Sequence, residues 1–127
     1  MILKAYRDAQ FQYLKARDFA VFKAEHKYVT GFTPDGREWL LSEGLTLKAL
    51  ESAVPDLVRL SRGVLVKRSQ ITGLIRTRKG STVANVVMTT VGEYRLARRN
   101  CVKTIAAIIE QNRPGARPTS TPTESPE

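Results

Sequence analysis

Hydrophobic and polar positions along this chain are arranged mainly as short strands that are separated by turn residues. Runs rich in β-branched and aromatic residues recur every few positions and are bounded by Gly, Pro, Asp and Ser. In the segment 33–36, Pro34 presets a turn angle and Gly36 accepts positive φ, so this segment predicts a hairpin turn. The pattern as a whole predicts strands at residues 2–6, 11–14, 19–22, 28–32, 37–42, 57–60, 64–66, 71–77, 83–89 and 93–97.

The hydrophobic period changes to that of a helix at two places. Leu47, Leu50 and Val54 fall on one face of a predicted helix over residues 45–54, with Thr46 as its N-cap and Pro55 at its end. A second predicted helix runs from Asn100 to about Asn112, and its apolar stripe consists of Val102, Ile105, Ala106 and Ile109. These elements predict a small, mainly β domain with one short internal helix and a C-terminal helix.

The last residues differ in composition from the rest of the chain. Residues 113–127 are rich in Pro, Ser and Thr and contain no aliphatic residue larger than alanine. Such a segment cannot bury enough apolar surface to offset its chain entropy. We therefore expect a single domain over residues 1–112, followed by a disordered tail over residues 113–127.

Length and composition indicate an ordinary soluble protein. The chain has 127 residues, of which 42% are hydrophobic, and no apolar run approaches the roughly 20 residues that span a bilayer. The N-terminal sequence becomes polar too early for a secretory signal. The single cysteine, Cys101, cannot form an intramolecular disulfide, which suits a reducing compartment. We predict a cytoplasmic protein with no membrane partner.

The positive charge is concentrated in one part of the sequence. Residues 1–58 contain eight basic and eight acidic residues, whereas the whole chain carries a net charge of +9. In residues 59–103 the only acidic residue is Glu93, against Arg59, Arg62, Lys67, Arg68, Arg76, Arg78, Lys79, Arg95, Arg98, Arg99 and Lys103. A polyanionic partner is the simplest reason to tolerate this self-repulsion, although a basic surface kept for solubility is an alternative.

Catalytic and metal-binding patterns are weak in this sequence. A Gly-rich phosphate loop is absent, and nothing brings His26 and Cys101 together as a base and a nucleophile. One cysteine and one histidine cannot form a Cys/His-rich zinc site. We therefore expect no enzymatic activity, no metal and no cofactor.

Three predicted loops carry the polar side chains that a nucleic-acid interface requires. The segment 59–68 places an apolar strand between basic ends, with Arg62 on one side and Lys67 and Arg68 on the other. The segment 95–100 lies at a junction between a strand and a helix, where free helical amides favour phosphate. A third loop spans residues 25–28. Together these loops favour nucleic acid over ordinary solvated turns.

In their order along the chain, these segments resemble a known family of DNA-binding domains. The elements are Glu-His-Lys-Tyr-Val, a hairpin, Leu-Thr-Leu-Lys-Ala-Leu-Glu-Ser, Leu-Val-Arg-Leu-Ser-Arg-Gly-Val-Leu-Val-Lys-Arg-Ser-Gln-Ile and Leu-Ala-Arg-Arg-Asn. Over residues 1–112 they are similar to the LytTR domain, the output module of many bacterial response regulators. The resemblance implies an elongated fold of small packed sheets. It also implies a sequence-specific regulator whose loops enter successive major grooves and bend duplex DNA, commonly at direct-repeat half-sites in promoters.

The resemblance also assigns roles to individual residues of this sequence. Base-reading residues by position are His26, Lys27, Tyr28, Ser61, Arg62, Arg98, Arg99 and Asn100. Residues expected to contact phosphates are Lys67, Arg68, Arg76, Arg78, Lys79 and Lys103. The sequence departs from the family pattern at Ser61, Gly63, Lys67 and Ala97, so the family's base readout does not transfer directly to this chain. Because the match begins at about residue 1, we expect no receiver domain before it.

Two other functions remain open from the sequence. An adaptor or antagonist would pair with a full-length regulator or occupy its promoter sites, and its candidate surface is an apolar edge strand at residues 83–87, unless that strand is buried in the core. A sequence-blind nucleic-acid binder, of RNA included, would need clustered exposed aromatic residues on which bases stack. The aromatic residues here are spread along the strands, mostly at positions expected to lie in the core. RNA polymerase or another regulator is a possible protein partner, and the oligomeric state is open.

Overall fold

The computed structural model describes residues 1–25, 27–42, 44–97 and 102–112, which form two antiparallel sheets and two α-helices. The strands of the larger sheet are β1 (Ile2–Arg7), β2 (Gln10–Lys15), β3 (Val21–Glu25), β4 (Tyr28–Phe32), β5 (Glu38–Leu41), β6 (Leu57–Ser61) and β7 (Val64–Lys67). The smaller sheet contains β8 (Ile71–Lys79), β9 (Thr82–Thr89) and β10 (Gly92–Leu96). The helices are α1 (Leu47–Ala53), between β5 and β6, and α2 (Val102–Asn112), after β10.

The larger sheet has seven strands in the order β2-β1-β5-β4-β3-β7-β6, and the smaller one has the order β10-β9-β8. Every neighbouring pair is antiparallel, so consecutive strands are joined mostly by short turns. Two 3₁₀ turns, Ala16–Asp18 and Arg68–Gln70, complete the connections. Neither α1 nor α2, the helices of the described residues, is long and apolar enough to cross a membrane.

The seven-stranded sheet contributes to a hydrophobic core on each of its faces. Successive residues of a strand point to opposite faces, so Phe22 enters the core that α1 covers with Leu47 and Leu50. Val21 enters the second core on the other face, which contains Ile105 and other residues of the smaller sheet and α2. This arrangement fixes the smaller sheet and α2 against the β3-β7-β6 half of the larger sheet.

The predicted fold class is confirmed: the chain is mainly β, with one short internal helix and a C-terminal helix. Thr46 is the N-cap of α1, since its hydroxyl accepts a hydrogen bond of 3.1 Å from the amide of Ala49. The predicted strand at residues 19–22 begins only at Val21, because Phe19 closes the Ala16–Asp18 turn through a backbone bond to Ala16. The predicted tail, residues 113–127, lies outside the described residues.

The structure answers two questions about exposure that the sequence left open. Residues 83–87 do not form an edge strand, because β9 pairs with β8 on one side and with β10 on the other. Five of the nine aromatic residues lie in or against the two cores, as expected, but Tyr6, Phe11, Tyr13 and Tyr28 are exposed. Strand alternation places a residue on a face of a sheet, but it does not tell whether another layer covers that face.

The β1–β2 turn adopts a backbone conformation that its residues do not favour. Asp8 and Ala9 have φ values of +54° and +64°, the left-handed region that suits a hairpin turn but disfavours residues with a Cβ. We expect Ala9→Gly to raise the free energy of unfolding by about 0.5–1 kcal/mol, because glycine relieves this strain. Urea denaturation measures the change. The same substitution at the exposed helical residue Ala49 should instead lower it by about 1 kcal/mol, and a loss at position 9 would contradict the prediction.

Candidate nucleic-acid interface

Two hairpin turns lie side by side at one end of the seven-stranded sheet. Because β3 is antiparallel to both β4 and β7, the β3–β4 and β6–β7 turns fall at the same end. The amide of Ala24 donates a 2.9 Å hydrogen bond to the carbonyl of Gly63, which joins the two hairpins next to their turns. Four residues that were predicted to read bases are therefore brought together here, namely Lys27, Tyr28, Ser61 and Arg62.

The β6–β7 turn is supported by an arginine for which the sequence indicated no individual role. Arg59 donates a 2.8 Å hydrogen bond to the carbonyl of Arg62 and a 3.1 Å bond to Oε1 of Glu51 in α1. Its side chain is only 15% exposed. The signal in the sequence is the alternation of β6, since Arg59 lies two residues after buried Leu57 and so points toward α1.

We expect Arg59→Ala to lower the free energy of unfolding by about 1–2 kcal/mol. The substitution removes two hydrogen bonds, one of them to a carboxylate, and leaves the Arg62 carbonyl without this donor. The midpoint of urea denaturation measures the change. Arg37→Ala is the matched control, because the Arg37–Asp35 pair is more than half exposed on both sides and should contribute less than about 1 kcal/mol. Equal losses from the two substitutions would show that Arg59 is an ordinary surface arginine.

The end of β10 lies next to the same β6–β7 turn. The amide of Ala97 donates a 3.0 Å hydrogen bond to the carbonyl of Leu60, one residue before Ser61. The chain therefore leaves β10 beside this turn and resumes in the described residues at Val102. The other four predicted base-reading residues, His26, Arg98, Arg99 and Asn100, lie outside the described residues.

A basic groove lies between the β8–β9 hairpin and the start of α2. The strand register pairs Arg76 with Asn85 and Arg78 with Val83, and Asn85 is paired in turn with Leu96 of β10. The groove has a volume of about 590 Å³ and is lined by Arg76, Arg78, Val83, Asn85, Val102 and Lys103. It thus brings together three residues predicted to contact phosphates, and it adds Asn85, which the sequence did not indicate. Lys79 is the last residue of β8.

Lys67 and Arg68, two more predicted phosphate contacts, lie at the opposite end of β7 from Arg62. Roughly 15 Å of strand separate them from the β6–β7 turn. Each also makes an intramolecular contact: Nζ of Lys67 donates a 2.7 Å hydrogen bond to the carbonyl of Arg17, and Nε of Arg68 lies 4.0 Å from Oδ1 of Asp56. The structure therefore does not bring them together with the other predicted site residues.

The turns and the groove form one basic surface, which we call the basic end and define by Lys27, Tyr28, Ser61, Arg62, Arg76, Arg78 and Lys103. The sequence contains no acidic residue between Asp56 and Glu93, so β6 to β9 themselves contribute cations and no carboxylate. Among the described carboxyl groups, the one with a shifted pKa is Asp35, which lies outside the basic end in the β4–β5 turn. Hydrogen bonds from the Thr33 hydroxyl and the Arg37 backbone amide lower the pKa of Asp35. In the described part of the chain, no group of three His, Cys, Asp or Glu side chains could hold a metal ion. The arrangement suits a polyanion.

Comparison with solved structures finds a LytTr DNA-binding domain from Bacillus cereus, part of a protein described as a methyl-accepting/DNA response regulator. The two structures superpose with a TM-score of 0.60 over 87% of this chain and 94% of that chain. The chain has the LytTR-type fold. The two sequences are 10% identical, so the likeness is one of fold. No family model and no curated protein matches this chain.

The LytTR-type fold agrees with the resemblance that the sequence motifs indicated. The shared region extends over 87% of the chain, so it is far more than an isolated hairpin. Side-chain identity is nearly lost, since only 10% of the residues are identical. The roles of single residues on this fold must therefore be argued from the geometry of the basic end.

Proposed function

We propose that this chain is a transcription regulator that binds duplex DNA in a sequence-specific manner through its basic end. The observation that supports this most strongly is the clustering of two hairpin turns and a three-cation groove at one end of a LytTR-type fold. A solved domain with this fold is described as DNA-binding. The proposal includes no enzymatic activity, no metal and no cofactor.

The two turns are the parts that would read bases. Short hairpin turns are narrow enough to enter the major groove, which is about 12 Å wide and displays a distinct pattern for each base pair. Arg62 is exposed at the tip of the β6–β7 turn, and its guanidinium can bind O6 and N7 of a guanine with two hydrogen bonds. Lys27, Tyr28 and Ser61 supply further donors and acceptors. By resemblance, we assign His26, Arg98, Arg99 and Asn100 to the same role.

The groove would hold the DNA backbone while the turns read the bases. Arg76, Arg78 and Lys103 can neutralise neighbouring phosphates, and Asn85 can donate a hydrogen bond to a phosphate oxygen. Cations beside the base-reading turns favour curvature of the duplex, because bending lets more of the backbone reach the groove. We therefore propose that the DNA is bent on binding.

The wider context of this function also follows from the resemblance. We propose that the DNA sites are direct-repeat half-sites in promoters of a bacterial genome, and that the protein acts in the cytoplasm. Occupying a promoter brings the protein close to RNA polymerase or to another regulator, so these are the protein partners we propose. Lys67 and Arg68 would add phosphate contacts only where the bent duplex extends beyond the basic end, and Lys79 is assigned a phosphate contact by resemblance.

A salt titration of duplex binding tests the role of the groove. Affinity for a random duplex is measured by fluorescence anisotropy between about 50 and 200 mM salt, a range over which phosphate contacts strongly change affinity. We expect the double variant Arg76→Gln, Arg78→Gln to reduce the slope of log K against log salt by about 2, at about 0.9 per lost contact. The matched control Arg7→Gln, Arg17→Gln removes the same charge away from the basic end. Equal slopes for the groove variant and the wild type would overturn this role.

A further inference from the structure

One half of a sheet face has no covering layer among the described residues. The second core covers this face over β3, β7 and β6, where Val21 and Val66 are fully buried. Over β2, β1 and β5 the same face instead exposes large apolar side chains. They are Ile2 (65% exposed), Tyr6 (38%), Phe11 (53%), Tyr13 (65%) and Leu40 (43%), which we call the aromatic face.

The aromatic face is one contiguous cluster rather than a set of scattered side chains. The ring centroids of Tyr6 and Phe11 are 6.1 Å apart, and those of Phe11 and Tyr13 are 5.9 Å apart. The strand register places Tyr6 directly between Phe11 and Leu40. The Nζ atom of Lys4 lies 4.2 Å from the centroid of the Phe11 ring.

The area of this cluster is that of an interface core. An aromatic side chain has about 200 Å² of surface, so the exposed fractions of the three rings amount to roughly 300 Å². Ile2 and Leu40 increase this further. A contiguous apolar patch of this size is in the range of the largest patch on a typical monomer, which is often functional. It also suits the apolar centre of a standard interface, which buries about 800 Å² on each partner.

The charges around the aromatic face are arranged so that two identical copies are complementary. Phe11, Tyr6 and Leu40 form a row across β2, β1 and β5. Lys4, which is paired with Tyr13, lies on one side of this row. Because β1 and β5 are antiparallel, Glu38 lies on the other side of that row. A twofold axis along the row therefore brings Lys4 of one copy to Glu38 of the other. Residues 1–58 carry eight basic and eight acidic residues, so this region is not subject to the repulsion that two basic ends would experience.

From these observations we infer that the aromatic face binds a second copy of this chain, with the two sheets face to face. Each copy supplies the layer that the other lacks over β2, β1 and β5, at the usual sheet spacing of about 10 Å. The interface is isologous, since the same patch is used on both sides. It lies at the opposite edge of the seven-stranded sheet from β6 and β7, so the β6–β7 turn stays accessible in the dimer.

Single-stranded nucleic acid is a second possible ligand for exposed aromatic residues, but the geometry favours the dimer. Stacking of bases requires open ring faces. Here the Lys4 ammonium covers a face of Phe11, and the Phe11 and Tyr13 rings are nearly perpendicular, with an interplanar angle of 85°. Such rings present edges and faces alternately, which suits interdigitation with another apolar surface.

Analytical ultracentrifugation of the full chain without DNA tests the inference. We expect a concentration-dependent dimer, and we expect Phe11→Ser with Tyr13→Ser to weaken association by about 30-fold or more, as loss of central interface residues does. Ile75→Ser with Val83→Ser is the matched control, because both residues are exposed on the smaller sheet and the dimer should persist. Circular dichroism melting checks that all variants are folded.

A charge exchange makes the test independent of the aromatic residues. Lys4→Glu should weaken association, because it places two carboxylates opposite each other, and adding Glu38→Lys in the same chain should restore it. A chain that stays monomeric up to about 1 mM, where even weak dimers are populated, would overturn the inference. So would a dimer that is unaffected by the Phe11 and Tyr13 substitutions. Binding of oligothymidylate that these substitutions abolish, with no dimer, would assign the aromatic face to single-stranded nucleic acid instead.

Discussion

Replacing Arg62 with alanine is expected to lower the affinity for the protein's specific DNA site by about 1–3 kcal/mol, or roughly 10- to 100-fold. Arg62 is exposed at the tip of the β6–β7 turn, and Arg59 fixes its backbone carbonyl from the α1 side. A guanidinium in this position can make two hydrogen bonds to one guanine, and alanine makes none. Fluorescence anisotropy titrations with the specific duplex and with random duplex measure the effect.

Two controls separate base reading from simple charge attraction at Arg62. Arg62→Lys keeps the charge but loses the two-bonded geometry, so it should lose most of the specificity and little of the affinity for random DNA. Arg68→Ala removes the same charge at the opposite end of β7, where we expect a smaller effect. An equal loss of affinity on specific and random duplex would contradict the prediction and make Arg62 a phosphate contact.

The second large effect is expected in the core, at the helix that supports the groove. Ile105 of α2 is fully buried in the second core, so Ile105→Ala should lower the free energy of unfolding by about 2–5 kcal/mol. The loss combines the transfer of apolar surface with the cavity left behind. Because Lys103 and Val102 line the groove from the same helix, we also expect weaker DNA binding. Urea denaturation and thermal melting measure the stability.

The same substitution on the surface provides the control for Ile105. Ile75 of β8 is 46% exposed, and Ile75→Ala should change stability by less than about 1 kcal/mol. A loss below about 1 kcal/mol at Ile105 would mean that α2 is not packed on the sheets as described. In that case the groove between α2 and the β8–β9 hairpin would not be a fixed feature.

The secondary structure could be predicted because it depends on local patterns. Ten strands follow from period-two runs between turn residues, and α1 follows from the spacing of Leu47 and Leu50 together with the Thr46 cap. Coverage of a face could not be predicted. Tyr6 and Phe22 occupy similar positions in apolar strands, yet Tyr6 is exposed and Phe22 is buried. The difference is made by layers that come from distant parts of the chain.

The grouping of the site residues shows the same division between local and long-range information. The β6–β7 turn and its Arg62 could be identified locally, because basic residues bound an apolar strand. Lys67 is close to Arg62 in sequence, but a strand places the two at opposite ends of a hairpin. Arg76 and Lys103 are far apart in sequence, and only the packing of α2 on β8 brings them into one groove.

The proposal as a whole is tested most directly by selecting bound sequences from a random duplex library at near-physiological salt. The enriched sequence is then titrated against random DNA under the same conditions. We predict a recovered motif that binds roughly a thousandfold or more tightly than random duplex, the range of specific regulators. Absence of a motif, with weak binding that depends steeply on salt, would contradict sequence-specific recognition and leave only an electrostatic attraction to DNA.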